Sequence, residues 1–224
     1  MVFLLVALVA IIVLPQIWVR FTIDRHSKDR PDLQGTGGEL ARHLLDRFGL
    51  KDVKVETTDR GDHYDPENRS VRLLQTHHDG RSLAAVAIAA HEVGHAIQRA
   101  HGDRWLGLRQ KLAKLAMTTD RLAAVFFIAS PFLGALARTP VAFLAIAGIG
   151  IGLLAVRIVF TLVTLPVEID ASFSKALPIL KEGRYVDEKD MPAVKGVLRA
   201  AAFTYLAGAL IALVNLARWI RVLR

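Results

Sequence analysis

The chain has 224 residues, 53% of them hydrophobic, and a mean hydropathy of +0.36, too apolar for an ordinary soluble domain. It contains no cysteine, which excludes disulfides, thiolate zinc ligands and cysteine catalysis. The formal charge of +8 gathers beside apolar segments without any nucleic-acid-binding motif, so it reads as membrane-flanking charge and no nucleic-acid partner is expected.

Residues 2–19 form an apolar run long enough to cross a bilayer, interrupted only by Pro15 and Gln16. The run lacks a basic leader and a small-residue cleavage site, which predicts an uncleaved anchor. Arg20, Arg25, Lys28 and Arg30 follow, so this end is expected on the cytoplasmic side. Thr36 can cap a helix reaching about Phe48, with Leu44, Leu45 and Phe48 on one stripe and Gly49 ending it. Val53, Val55 and Thr57 alternate with polar residues as a strand, Asp59–Asp62 supply a turn, and 71–74 read as a second short strand. A longer helix is expected from about Ser82 to Ala100.

That helix carries His91-Glu92-Val93-Gly94-His95. Residues four apart on a helix differ by about 40° in azimuth and one turn in height, so His91 and His95 can aim imidazole nitrogens at one zinc ion. Glu92 falls on the same half of the helix, where a general base for an attacking water belongs. The bland alternative is an Ala-rich helix that happens to carry two histidines and a solvated glutamate.

Two apolar segments follow, Leu122–Ala137 and Val141–Leu165, separated by Arg138-Thr139-Pro140; together they predict a membrane hairpin. Its near side carries Arg104, Arg109, Lys111, Lys114 and Arg121, so the hairpin should leave the cytoplasmic face and return to it. The spacing of Gly148 and Gly152 needs no explanation beyond close helix packing. Residues 174–196 read as a mixed-charge loop. Residues 197–216 form a weaker apolar segment ending in Arg218, Arg221 and Arg224, a spanning or interfacial last helix.

A catalytic zinc commonly has three protein ligands and one open position. His101 has the spacing of a metzincin third histidine, but Gln98 stands where that motif needs glycine. On an unbroken helix His101 lies about 9 Å beyond His95 and on another face. Glu168 is the stronger candidate. It follows the returning arm of the hairpin directly, where an unpaired carboxylate is costly, and it returns to the side that holds His91 and His95. Its bland alternative is a solvated helix-end acid paired with Lys175, and Asp170 is a candidate to orient a histidine N–H. His63 and Tyr64, in the polar turn before the second strand, are candidate donors to a transition-state oxyanion. Their alternative role is to stabilise the turn that Asp65-Pro66 begins.

Taken together, several stretches resemble the neutral zinc metallopeptidases of bacterial membranes, of the YugP type. They are the N-terminal anchor, Asp62-His63-Tyr64-Asp65-Pro66, Gly80-Arg81-Ser82, His91 through Gln98, Leu165 through Ser172, and Ala202-Phe203-Thr204-Tyr205. The order of motif helix, membrane hairpin and Glu also looks like the HtpX and CAAX-prenyl proteases. The resemblance implies a gluzincin-like zinc peptidase with His91, His95 and Glu168 as ligands to one zinc per chain and Glu92 as catalytic base. Ile169 departs from it, since an aromatic residue is expected after the Glu.

The expected architecture is an α-helical membrane protein with a small α+β zincin-like domain. It divides into an anchor (1–19), the zincin-like domain (20–121), the hairpin (122–165), a third-ligand segment and loop (166–196), and a C-terminal helix with a basic tail (197–224). Two strands before a metal-binding helix is the zincin order, in which an edge strand holds extended substrate. The expected function is a zinc metalloendopeptidase in the bacterial inner membrane, multi-pass, with its active site facing the cytoplasm. Its partners are the bilayer and polypeptides that are misfolded or membrane-associated. Two rivals are a site-2-type intramembrane protease and a non-catalytic zinc-binding scaffold. Arg81 and Arg99 bracket too short a run for the motif helix to span, and no later apolar run contains an Asp, both against the first rival.

Overall fold

A computed structural model describes residues 2–136 and 139–203. The chain is mostly helical, with one three-stranded sheet. Helix α1 (Val2–Arg25) runs unbroken through Pro15 and continues past the expected end of the anchor. Its last turns join the interior: Val19 is buried and Ile23 packs against the core. Just beyond, His26 O accepts from Ala84 N and Arg30 N donates to Arg81 O, which fastens this connection to the start of the motif helix.

Helix α2 (Gly37–Arg47) begins with a complete capping box: Glu39 N donates to the Thr36 hydroxyl, and Thr36 N donates to the Glu39 carboxylate. Its apolar stripe, Leu40, Ala41, Leu44 and Leu45, is buried. Strands β1 (Lys54–Thr58), β2 (His63–Asp65) and β3 (Ser70–Leu74) form a sheet of order β1-β3-β2. β1 runs parallel to β3, and β2 runs antiparallel to it with Tyr64 opposite Val71. Residues 63–65 are thus an edge strand, where the sequence suggested a turn. The turn lies just before, at Gly61, whose φ of +90° is open to glycine at little cost.

A short helix, α3 (Gln75–His78), leads to α4 (Leu83–Ala100), which Ser82 caps through Ala85 N. α4 is buried continuously from Leu83 to Gln98 and is the central element of the core. Helices α5 (Arg104–Leu136) and α6 (Pro140–Ile169) then form an antiparallel pair that leaves the domain and returns to it. Thr139 caps α6, with Pro140 in its first turn. Val125, Ile128, Phe132, Val141, Leu144 and Leu162 are exposed along this pair.

α6 passes directly into a π-helical segment (Asp170–Ala176) and then α7 (Leu177–Glu182). Among the described residues this continuous stretch, Pro140–Glu182, is the one helix long and apolar enough to cross a membrane, with a window of mean hydropathy 2.4. A 3₁₀ turn (Glu188–Asp190) follows, and 191–203 are helical, so most of the loop expected over 174–196 is ordered into helix. Leu177, Leu180, Val186, Val194 and Leu198 pack into the same core as α2 and α4, which is why this segment folds. The remainder of the C-terminal apolar segment and its three arginines lie outside the described residues.

One contact fixes the distance between α4 and the π segment. A Cβ placed on Gly94 would lie 2.9 Å from Ala171 O and 3.4 Å from Ala171 Cα. Both neighbours are backbone and cannot rotate away, so only glycine fits between the two motif histidines' turns at this spacing. Overpacking a close contact typically costs about 1–3 kcal/mol. Gly94→Ala is therefore expected to lower Tm by several degrees and to reduce zinc content in the purified full chain. Calorimetry and elemental analysis check this; an unchanged Tm and zinc content would show that the contact is not limiting.

Candidate metal centre

His91 and His95 occupy one face of α4, with ring centroids 4.7 Å apart and planes at 79°. Glu168, in the last turn of α6, meets them there. Its Oε2 lies 3.1 Å from His91 Nε2 and 3.5 Å from His95 Nε2. One ligand atom from each of the three residues falls within 4.8 Å of the others, and all three side chains are buried. Glu168 is thus brought to the motif from 77 residues away by the out-and-back path of α5 and α6.

Hydrogen bonds behind the histidines fix their tautomers. The Gln98 amide donates Nε2–H to Val167 O at 2.9 Å and to Asp170 Oδ2 at 2.7 Å. That orientation leaves Gln98 Oε1 facing His95 Nδ1 at 2.8 Å, and an amide oxygen can only accept. His95 therefore carries its proton on Nδ1. The Ser172 hydroxyl donates to Leu198 O at 3.2 Å, so its lone pair accepts from His91 Nδ1, 3.0 Å away. With both protons held on the far side, both Nε2 lone pairs point toward the Glu168 carboxylate.

Lone pairs facing a carboxylate in a buried space repel unless a cation lies among them. The opposite carboxylate oxygen, Glu168 Oε1, is buried and makes no hydrogen bond, although Arg109 Nη2 approaches it to 3.0 Å as an ion pair. Burial disfavours an imidazolium at His91, yet Glu168 and Glu92 outweigh that effect and raise its pKa. Two neutral imidazoles and one carboxylate also match the donor set of an open zinc site. The residues present fit zinc.

Glu92 is buried and lines the same cavity, about 210 Å³, together with His91, His95, Arg109, His63 and Tyr64. The edge strand β2 places His63 and Tyr64 at its mouth. His63 Nδ1 donates to Gly61 O at 2.8 Å, so the neutral ring offers a bare Nε2 rather than a donor. Burial of Tyr64, reinforced by Asp52 and Asp65, outweighs Arg69 and Arg99 and raises its pKa, which keeps its hydroxyl protonated as a donor. Asp62 also lines the cavity, held by Leu74 N and His77 Nδ1 at 2.8 Å each.

Asp170 does not touch a histidine. It holds Gln98, and Lys175 in turn holds Asp170, so it stands one link further out than the sequence suggested. His101 is exposed in the turn that ends α4, away from the cluster. Gln98, Ser172 and Arg109 were not foreseen as parts of the site. For Gln98 the signal was present: it lies three residues after His95, within reach on one helix face.

Under this arrangement Glu168→Ala should remove nearly all zinc from the purified chain, whereas His101→Ala should retain it. Loss of a partner behind a metal-binding histidine typically costs about 10–100-fold in affinity. Gln98→Ala is expected to weaken zinc binding by that factor, read by competition with a chelating dye. Equal affinity in Gln98→Ala and wild type would show that His95 is oriented by something else.

A family model described as "Putative neutral zinc metallopeptidase" matches residues 1–224. The chain is 37% identical over 224 residues to a Bacillus subtilis (strain 168) protein named "Putative membrane protease YugP", a match covering 99% of this chain and 95% of that protein. No solved structure matches it. On a full-length family match and a full-length relative, this chain belongs to the neutral zinc metallopeptidase family.

Proposed function

We propose that the protein is a membrane-bound zinc-dependent endopeptidase, with His91, His95 and Glu168 holding one zinc ion and Glu92 acting as general base. The observation that carries this reading is the pair of Nε2 lone pairs converging on Glu168, with Glu92 in the same cavity. When bound, zinc supplies a Lewis acid for a scissile carbonyl and lowers the pKa of water.

The chain's own residues do the rest. His91 and His95 are held in one tautomer by Ser172 and Gln98, so no reorientation precedes catalysis. Glu92 takes a proton from the attacking water and returns it to the departing amine nitrogen. Tyr64, protonated and at the cavity mouth, is positioned to donate to the developing oxyanion. His63 would need to be doubly protonated to do the same, which makes Tyr64 the better candidate. The free side of β2 offers backbone groups to an extended substrate strand, the mode by which an edge strand is augmented.

The proposed setting is the bacterial inner membrane, with α1 and the α5–α6 pair embedded. The site would face the cytoplasm, since basic residues cluster at the near ends of these elements. The exposed apolar side chains of α5 and α6 support this setting. Against a site-2-type enzyme, α4 is enclosed by α2, the sheet and the π segment, and among the described residues it is not a candidate span.

Glu92→Gln is expected to keep one zinc per chain and lose peptide hydrolysis by several orders of magnitude. Retained turnover with zinc bound would exclude Glu92 as the base, while zinc binding without turnover in the wild type would favour a scaffold. Tyr64→Phe should lower kcat about 10²-fold with unchanged zinc content, in line with loss of one oxyanion donor. Cleavage of an unfolded soluble protein separates this reading from a protease restricted to transmembrane substrates.

A further inference from the structure

The metal cavity is too small for a peptide, but it opens into a larger groove of about 800 Å³. His63, Tyr64, His95 and Arg109 line both spaces. The groove runs from the edge strand β2 across the end of α4 to the first turns of α5. Its charge is one-sided. Asp65 and Glu67 are its acids, and each is already engaged, by Arg72 at 2.9 Å and Lys114 at 2.7 Å. Arg109 is committed to Glu168. Arg60, Arg99 and Lys111 remain, all exposed and without an ion pair among the described residues.

Arg99 has a defined place relative to the reacting centre. It lies four residues after His95, on the same face of α4 and about 6 Å further along the axis. An extended peptide advances about 3.3 Å per residue. For a peptide laid along the axis of α4, a side chain at the height of Arg99 belongs to a residue about two positions from the scissile bond.

Building on the peptidase reading above, we infer that this groove selects extended peptides carrying Asp or Glu about two residues from the scissile bond, held by Arg99 with Lys111 and Arg60 beyond it. A peptide is favoured over a lipid headgroup by two features: the groove is continuous with the metal cavity, and β2 pairs through one side only.

The test uses the zinc-loaded, detergent-solubilised full chain carrying Glu92→Gln, which binds without turnover. Fluorescein-labelled decapeptides with Glu, Ala or Lys at the second position on either side of a central apolar pair are titrated by anisotropy. The Glu peptide should bind about tenfold tighter than the Lys peptide, an advantage that shrinks with added salt. Arg99→Glu combined with Lys111→Glu should reverse the order while leaving zinc content unchanged. Equal affinities for the three peptides would overturn the inference, whatever the wild type cleaves. A Glu preference in binding, without cleavage of these peptides by the wild type, would sustain the inference and count against the peptidase reading instead. If the double reversal leaves peptide preference intact but abolishes binding to phosphatidylglycerol vesicles, the cations serve lipid and the inference falls.

Discussion

Two imidazole lone pairs and a carboxylate held together in a buried space form an arrangement that is stable only around a cation. A short chain of hydrogen bonds keeps those three groups facing one another. Gln98 and Ser172 hold the histidine protons on the outer side. Val167 O and Asp170 hold Gln98, and Lys175 holds Asp170. Each link has a polar partner that accepts or donates in only one sense, so the direction of the network is determined from its outermost members inward. A network satisfied in this way costs little to bury and leaves one unmet demand at its centre.

The same demand ties distant parts of the chain together. α4 carries two of the proposed ligands and α6 carries the third, so binding of a metal would add a link between the core and the base of the hairpin. Metal binding of this kind contributes directly to folding, because the unfolded chain has no preformed site. The close approach of Gly94 to Ala171 sets the spacing for that link. The π-helical turn of 170–176 lies at this contact. A regular α-helix presents residues about 100° apart, whereas a widened turn shifts that register, as π turns at functional sites commonly do. Here Glu168 and Ser172 both reach His91, one at each ring nitrogen, while Ala171 rests against the glycine.

Local patterns made much of this legible in the sequence. The Thr36 cap of α2, the start and apolar content of α4, and the strands at 54–58 and 70–74 are each written in neighbouring residues, and they appear within a residue or two of the expected ends. The motif histidines and Glu168, which the fold brings together, could be named as candidate ligands because metal ligands impose spacing and because an acid directly after an apolar run needs a partner. β2 was not legible. Three residues bounded by Asp62 and Pro66 carry no alternation, and they become a strand only by pairing with β3. The segment after 174 was not legible either, since its polar surface masks an apolar face that is recognisable only once α4 is there to cover it. Gln98 was read by its helix propensity, which is indifferent to whether a side chain ends up in water or against a histidine.

This contrast also bears on why the chemistry of the chain is easier to name than its substrate. The proposed catalytic groups come mainly from one helical turn, and a turn has fixed geometry wherever it occurs. The groove that would choose a substrate is assembled from β2, the end of α4 and the start of α5, which meet only in the folded molecule. Its three cations without an ion pair among the described residues are unremarkable in sequence, lying among many others that flank apolar segments. What distinguishes Arg99 is its position one turn beyond His95, together with neighbouring acids that are already engaged. A charge of this kind gains its meaning from the pairs that surround it, and those pairs exist only at the level of tertiary structure.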